Sequence, residues 1–184
     1  MSEIRKSDHL MTETEVSHQE FLKFINTPFA IKGVKGSQKA MRFELKQLIG
    51  RIPDRMEKQF LRWIEEMTSG DYYHMGRRNT AFGLLKRNLK ALMIVSFSTP
   101  NEELKDYYDG YARVIELVNI DSAEKGEGYK AVKELLGISD SMRIPISLWT
   151  EIEGNVPIFE RYGFINKGRL GIKNEFLMIR FPKG

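Results

Sequence analysis

The chain has no cysteine among its 184 residues. That absence excludes disulfides, thiolate nucleophiles and zinc–thiolate sites together. Histidine is nearly as scarce: His9, His18 and His74 are scattered without ligand spacing, so no metal centre is expected. No stretch approaches the roughly 20 consecutive apolar residues of a membrane helix, and no membrane partner is expected. The opening residues, MSEIRKSDHLMTETE, hold no apolar signal core, which points to a cytoplasmic protein. No internal repeat, low-complexity tract or linker interrupts the chain.

What is present suits one soluble domain. The length allows a substantial core but hardly two, and 41% hydrophobic with 29% charged residues is ordinary for a globular protein. Residues 1–15 are polar and expected to be a loose N-terminus, with residues 16–184 forming the domain. The net charge is +4 and the pI about 9.2. Part of that charge lies in Arg42, Lys46, Arg51, Arg55, Lys58 and Arg62, with Arg77-Arg78 and Lys86-Arg87 adding to it. Acids such as Glu44, Asp54, Glu57, Glu65 and Glu66 interleave with them, the pattern of solvated helix faces. A basic rim for phosphates or nucleic acid is the competing reading, although no base-reading motif accompanies it.

Along the chain, Ser17-His18-Gln19-Glu20 forms a capping box before Phe21, Leu22, Phe24 and Ile25. Pro28 is expected to end that helix and Phe29–Val34 to form a first strand. Gly33, Gly36 and Ser37 then lead into a helix with Met41, Leu45, Leu48 and Ile49 on one side. Pro53 interrupts it, and Asp54 caps a second helix striped by Met56, Phe60, Trp63, Ile64 and Met67 until Gly70. Periodicity fails in DYYHMGRRN, expected to be a loop in which Tyr72, Tyr73 and His74 are candidate substrate-side residues. Strands are expected at 80–86, 92–97 and 111–120, a helix at 129–136, a strand at 144–149 and a final hairpin around Lys173-Asn174.

The segment from Arg113 to Phe164 is the most informative. The apolar run Val114–Ile120 ends at Asp121-Ser122, and Gly126-Glu127-Gly128 leads straight into a helical pattern. Glycine lets a backbone turn sharply and approach a ligand closely. A helix start beyond it offers free N–H groups and a positive dipole end, an anion site. A plain strand-to-helix turn is the structural alternative. In order and spacing, Ala123-Glu124-Lys125-Gly126-Glu127-Gly128 and Phe159-Glu160-Arg161-Tyr162-Gly163-Phe164 resemble the coenzyme turn and the Tyr-x-x-x-Gly-Phe landmark of the GNAT acetyltransferase superfamily. Two signature side chains differ: Ala123 stands for Arg or Gln, and Phe159 for a tyrosine acid.

The resemblance implies a single GNAT-like α/β domain, a mixed central sheet flanked by helices, that uses acetyl-coenzyme A to acylate an amine. It places the pantetheine arm along the backbone of Val118, Asn119 and Ile120. The pyrophosphate falls over the amides of Glu124, Lys125, Gly126, Glu127, Gly128 and Tyr129, with Asn155 and Phe159 near the acyl end. Lys125 supplies positive charge there, and Glu124 and Glu127 oppose it. The resemblance also implies Glu116 as the general base, since acidic residues of this strand serve so in some relatives. Its parity puts it on the face of Val114 and Val118, and a carboxylate in an apolar strand invites a raised pKa; a structural ion pair is its other reading. Glu151 and Glu153 are weaker candidates. The acceptor, a small molecule or a protein, is not legible, and a homodimer through the edge of the C-terminal hairpin is one expectation for the assembly. Two functions stand: an N-acetyltransferase, and a GNAT-shaped binding or structural protein that has lost turnover and acts on a protein or nucleic acid.

Overall fold

A computed structural model describes residues 18–184 of the chain. Ser17 of the capping box, His9 and the expected loose N-terminus lie outside the described residues. The order of elements is α1 (His18–Ile25), α2 (Pro28–Arg51), α3 (Arg55–Ser69), β1 (Tyr72–Arg78), β2 (Ala81–Lys86), β3 (Ala91–Ser98), β4 (Val114–Ser122), α4 (Glu127–Met142), β5 (Ile146–Thr150), α5 (Val156–Arg161), β6 (Ile165–Arg169) and β7 (Phe176–Arg180). The strands form one seven-stranded sheet in the order β1-β2-β3-β4-β5-β7-β6. The β4–β5 pair is parallel and the others antiparallel. This is the single α/β domain with a mixed, helix-flanked sheet that the sequence implied.

The largest core fills one side of the sheet. Ile115 and Leu117 of β4, Phe82, Leu84, Met93 and Val95 pack there with Phe60 and Ile64 of α3 and Ala131 and Leu135 of α4. A second cluster joins Val114 to Leu177 and Ile179 of β7 beneath Leu104 and Tyr108, which come from a 3-10 segment at Glu102–Tyr108. A third sets Phe21 of α1 and Ile31 of α2 against Leu85 and Leu92. Asp54 caps α3 as expected, accepting from the Glu57 N–H at 2.8 Å, and its second oxygen pairs with Arg113 at 2.5 Å. That pair ties the start of α3 to the residue preceding β4. Gly70 closes the helix where the sequence placed its end.

Three sequence expectations are corrected. Phe29–Val34 is not a strand: Pro28 occupies the first turn of α2, where its missing N–H costs nothing, and the helix runs unbroken through Gly33 and Gly36 to Arg51. DYYHMGRRN is not a loop but holds β1, paired with β2 through a register shift between His74 and Arg77. The helix expected at 129–136 begins at Glu127 and continues to Met142, because Ser139 and Met142 prolong its buried stripe. The hairpin at 165–180 forms as read, with Asn174 at φ +62 in its turn.

Candidate functional site

The site begins with a defect in strand pairing. β4 and β5 pair only at Ile115↔Ile146 and Glu116↔Ser147; beyond Glu116 no β5 residue pairs with β4. On its other edge β4 stays paired with β3, but Ile94 faces Asn119 while Val95 faces Leu117. Val118 is therefore the extra residue of a β-bulge, which bends its strand and raises the local twist. Beyond the bulge, the backbone of Asn119 and Ile120 keeps its β3 partners on one side, and from Val118 to Ile120 no strand pairs with β4 on the other. Asn119 adds a buried side-chain amide nitrogen with no hydrogen-bond partner. Buried donors of this kind are costly unless something satisfies them.

At the end of the open edge the chain turns into α4. Gly126 sits at the N-cap with φ +88, in the left-handed region where a side chain is strained, and gives the helix no side-chain cap. The first bond of the helix runs from the Lys130 N–H to the Gly126 carbonyl at 3.2 Å, and the Glu127 N–H donates to the Glu124 carbonyl at 3.3 Å, which leaves the Gly128 and Tyr129 amides of the first turn as donors. A Cβ on Gly128 would lie 3.4 Å from Ser122 Oγ and 3.7 Å from Ile120 Cγ1. The glycine lets α4 start directly against β4. Glu124 and Glu127, read as opposing a phosphate, are both paired: Glu124 with Lys90 at 2.9 Å and Glu127 with Lys130 at 2.6 Å. The Lys130 ammonium, with Asn88 also donating, holds the Glu127 carboxyl below its ordinary value. Lys125 is exposed at the turn and has no ion pair among the described residues.

Position 123 has a physical reason to be alanine: its side chain packs against the cluster of Phe21 and Leu92 under α1. Its N–H donates to the Lys90 carbonyl at 2.9 Å and prolongs the β3–β4 ladder. Across the opening, Tyr129 stacks on Tyr162 with centroids 4.8 Å apart, and Tyr162 meets Phe159 edge-on at 6.2 Å. Phe159 is buried against Phe164 in the main core. Asn155 closes the turn before α5, its amide donating to Thr150 Oγ1 at 3.3 Å.

Glu116 lies at the last paired position before the strands part. Ser96 Oγ donates to its Oε2 at 3.2 Å, and Ser147 stands opposite on β5. Its parity with Val114 holds, whereas alternation breaks at Val118, the bulge. The fully buried Ser147 hydroxyl makes no hydrogen bond of good geometry. Beside it is the buried Tyr108 phenol, pushed up to about 12 by its burial; the Ser147 hydroxyl opposes that rise and the Glu116 carboxylate adds to it. Ser96, Ser147 and Tyr108 were missed in the sequence. Two serines in strands and a tyrosine in a turn carry no motif, and only the register Ser96↔Glu116↔Ser147 brings them together.

Other candidates fall elsewhere. Tyr72 is fully buried, and His74 is buried against Phe82 with centroids 5.9 Å apart, so neither faces a substrate. Tyr73 lies under Arg87 at 4.8 Å. Glu151 and Glu153 pair with Lys173 and Arg169. Among the described residues no three His, Asp or Glu converge as a metal site, and no helix is long and apolar enough to cross a membrane.

No family model and no curated protein matches the chain. Among solved structures it is similar to the Bacillus subtilis N-acetyltransferase YlbP in complex with coenzyme A. The identity is 14%, over 76% of this chain and 90% of that one, with a TM-score of 0.41. It is also similar to a histone acetyltransferase HPA2 and related acetyltransferase from Corynebacterium glutamicum, at 14% identity over 92% of this chain and 94% of that one, with a TM-score of 0.35. At this identity the likeness concerns the course of the backbone and not the residues of the site.

Proposed function

We propose that the protein is an acetyl-coenzyme A-dependent N-acetyltransferase. One observation carries the reading: β4 and β5 part at Glu116, and the open edge of β4 runs into a glycine-led helix start. The residues fit the coenzyme. Val118, Asn119 and Ile120 offer backbone groups to an extended amide-bearing arm, and the buried Asn119 amide lacks a partner. The Gly128 and Tyr129 amides at the start of α4 offer donors to a pyrophosphate, with Lys125 adding a charge. Bound there, the coenzyme would supply an activated acyl thioester.

The chain's own part is positioning and proton transfer. An attacking amine must be neutral, and Glu116, oriented by the Ser96 hydroxyl, is the carboxylate at the point where the strands separate. Tyr108 keeps its proton through the neutral range. Phe159 has no proton to give, so the rate rests on holding amine and thioester together. Glu116→Gln keeps the shape and removes the base. In a thiol-release assay with acetyl-coenzyme A and a panel of amines it should lower turnover by about a hundredfold or more. Unchanged turnover in Glu116→Gln would sink its assignment as base. The second reading, a binding protein without turnover, draws on the Tyr129–Tyr162 stack, which spans the space between α4 and α5. Coenzyme binding without acylation of any amine would favour it.

A further inference from the structure

The positive charge of the protein is not spread over its surface. α2 carries Lys32, Lys35, Lys39, Arg42, Lys46 and Arg51 against a single acid, Glu44. That helix alone is five positive on a chain whose total is +4, so everything else is close to neutral. The first five cations are spaced three, four, three and four residues apart. At about 100° per residue they fall within roughly 80° of the helix circumference, a straight stripe about 21 Å long. All five are exposed, and none has an ion pair among the described residues. Beside the stripe stand Phe29 and Phe43, 86% and 64% exposed. Both lie on the same flank, within about 60° of its edge. The other flank of the stripe, away from the phenylalanines, runs into Ile31 and Leu45, which are already buried in the domain.

We propose that this face of α2 docks the protein on an anionic lipid surface. A straight, convex row of cations flanked on one side by two exposed phenylalanines suits a plane of headgroups: ammonium groups meet phosphates while the rings enter the interface. Four of the five cations are lysines, hydrated point charges suited to a diffuse anionic surface. Nucleic-acid recognition favours the forked donors of arginine, and single-stranded binding favours a groove over a convex helix. The absence of a spanning segment concerns crossing a bilayer, not lying on one.

The test is co-sedimentation of the full-length protein with vesicles of phosphatidylcholine alone and of phosphatidylcholine with about 30% phosphatidylserine. Binding should require the anionic lipid and fall as salt rises from about 0.05 M to about 0.5 M. The triple variant Lys35→Gln/Lys39→Gln/Lys46→Gln should bind about a hundredfold more weakly, with its melting temperature unchanged. Arg55→Gln/Lys105→Gln/Lys133→Gln loses the same charge off the stripe and should bind like the native protein. Phe29→Ser/Phe43→Ser should lose the residual binding that survives high salt. Equal binding to neutral vesicles, an equal loss in the off-stripe variant, or binding to an RNA or DNA oligonucleotide without binding to vesicles would each overturn the proposal.

Discussion

His74 shows how a single side chain couples this fold to pH. Its ring is buried, and neither nitrogen makes a hydrogen bond of good geometry among the described residues. Burial disfavours the imidazolium and lowers its pKa, outweighing the nearby Glu44 carboxylate and the Gly76 backbone. The unfolded chain therefore binds a proton near pH 6.5 that the folded chain refuses. Stability from this residue is complete above that pH and is lost as the pH falls from about 6.5 toward the folded value. His74→Phe keeps the stacking on Phe82 and removes two unsatisfied nitrogens. Its melting temperature should be flat between about pH 6.5 and pH 5, where the native protein declines. A decline of equal slope in the variant would place the proton elsewhere. The sequence placed His74 in an expected loop as a candidate substrate-side residue, because burial is invisible when the strand around it lacks regular alternation.

Elements were legible where their periodicity served one purpose. α3 repeats Phe60, Trp63, Ile64 and Met67 on one face, with a capping aspartate and a terminal glycine, and it folds as read. α2 buries only Ile31 and Leu45 among the residues of its 24-residue span, so its apolar stripe is too thin to announce a helix. β1 turns at Gly76, φ +111, and ends on two exposed arginines, which hides its alternation. Of the site, the glycine turn was readable as a motif, and the open edge of β4 came only as what the resemblance implied. The Ser96–Glu116–Ser147 row was not, since strand register is set by pairing across the sheet. The packing of α4 on β4 predicts a consequence of its own. Gly128→Val would drive branched methyls toward Ser122 and Ile120, shifting the helix start. Acetyl-coenzyme A binding, measured by titration calorimetry, should weaken about tenfold or more while the fold persists. Native affinity in that variant would remove α4's first turn from the binding site.

At the scale of the whole molecule, a buried ion pair joins α4 to β7. Arg180 on β7 is buried and forms two 2.8 Å bonds to the Asp140 carboxylate on α4. The Arg180 guanidinium holds the Asp140 carboxyl below its usual range, aided by the Lys183 N–H. Asp54 is likewise lowered, first by the Glu57 N–H and then by Arg113. Because both folded values are depressed, their contributions are present above about pH 4 and vanish as the pH falls through the folded values. Arg180→Ala should cost about 3 kcal/mol in urea unfolding, since it leaves the Asp140 carboxylate partly buried without its partner. A loss well under 1 kcal/mol would mean that β7 is held by its apolar residues alone.

The central claim is that the parted strands and the glycine-led helix form a coenzyme site, and thermal unfolding tests it most directly. The protein is melted with acetyl-coenzyme A, with free coenzyme A and in buffer. A ligand at about 100 times its dissociation constant stabilises the folded state by about 2.7 kcal/mol, and for a domain of this size that moves the midpoint by roughly 7 °C. An upward shift of that order with both coenzymes is the result the structure predicts. A cooperative transition that neither coenzyme moves would contradict it.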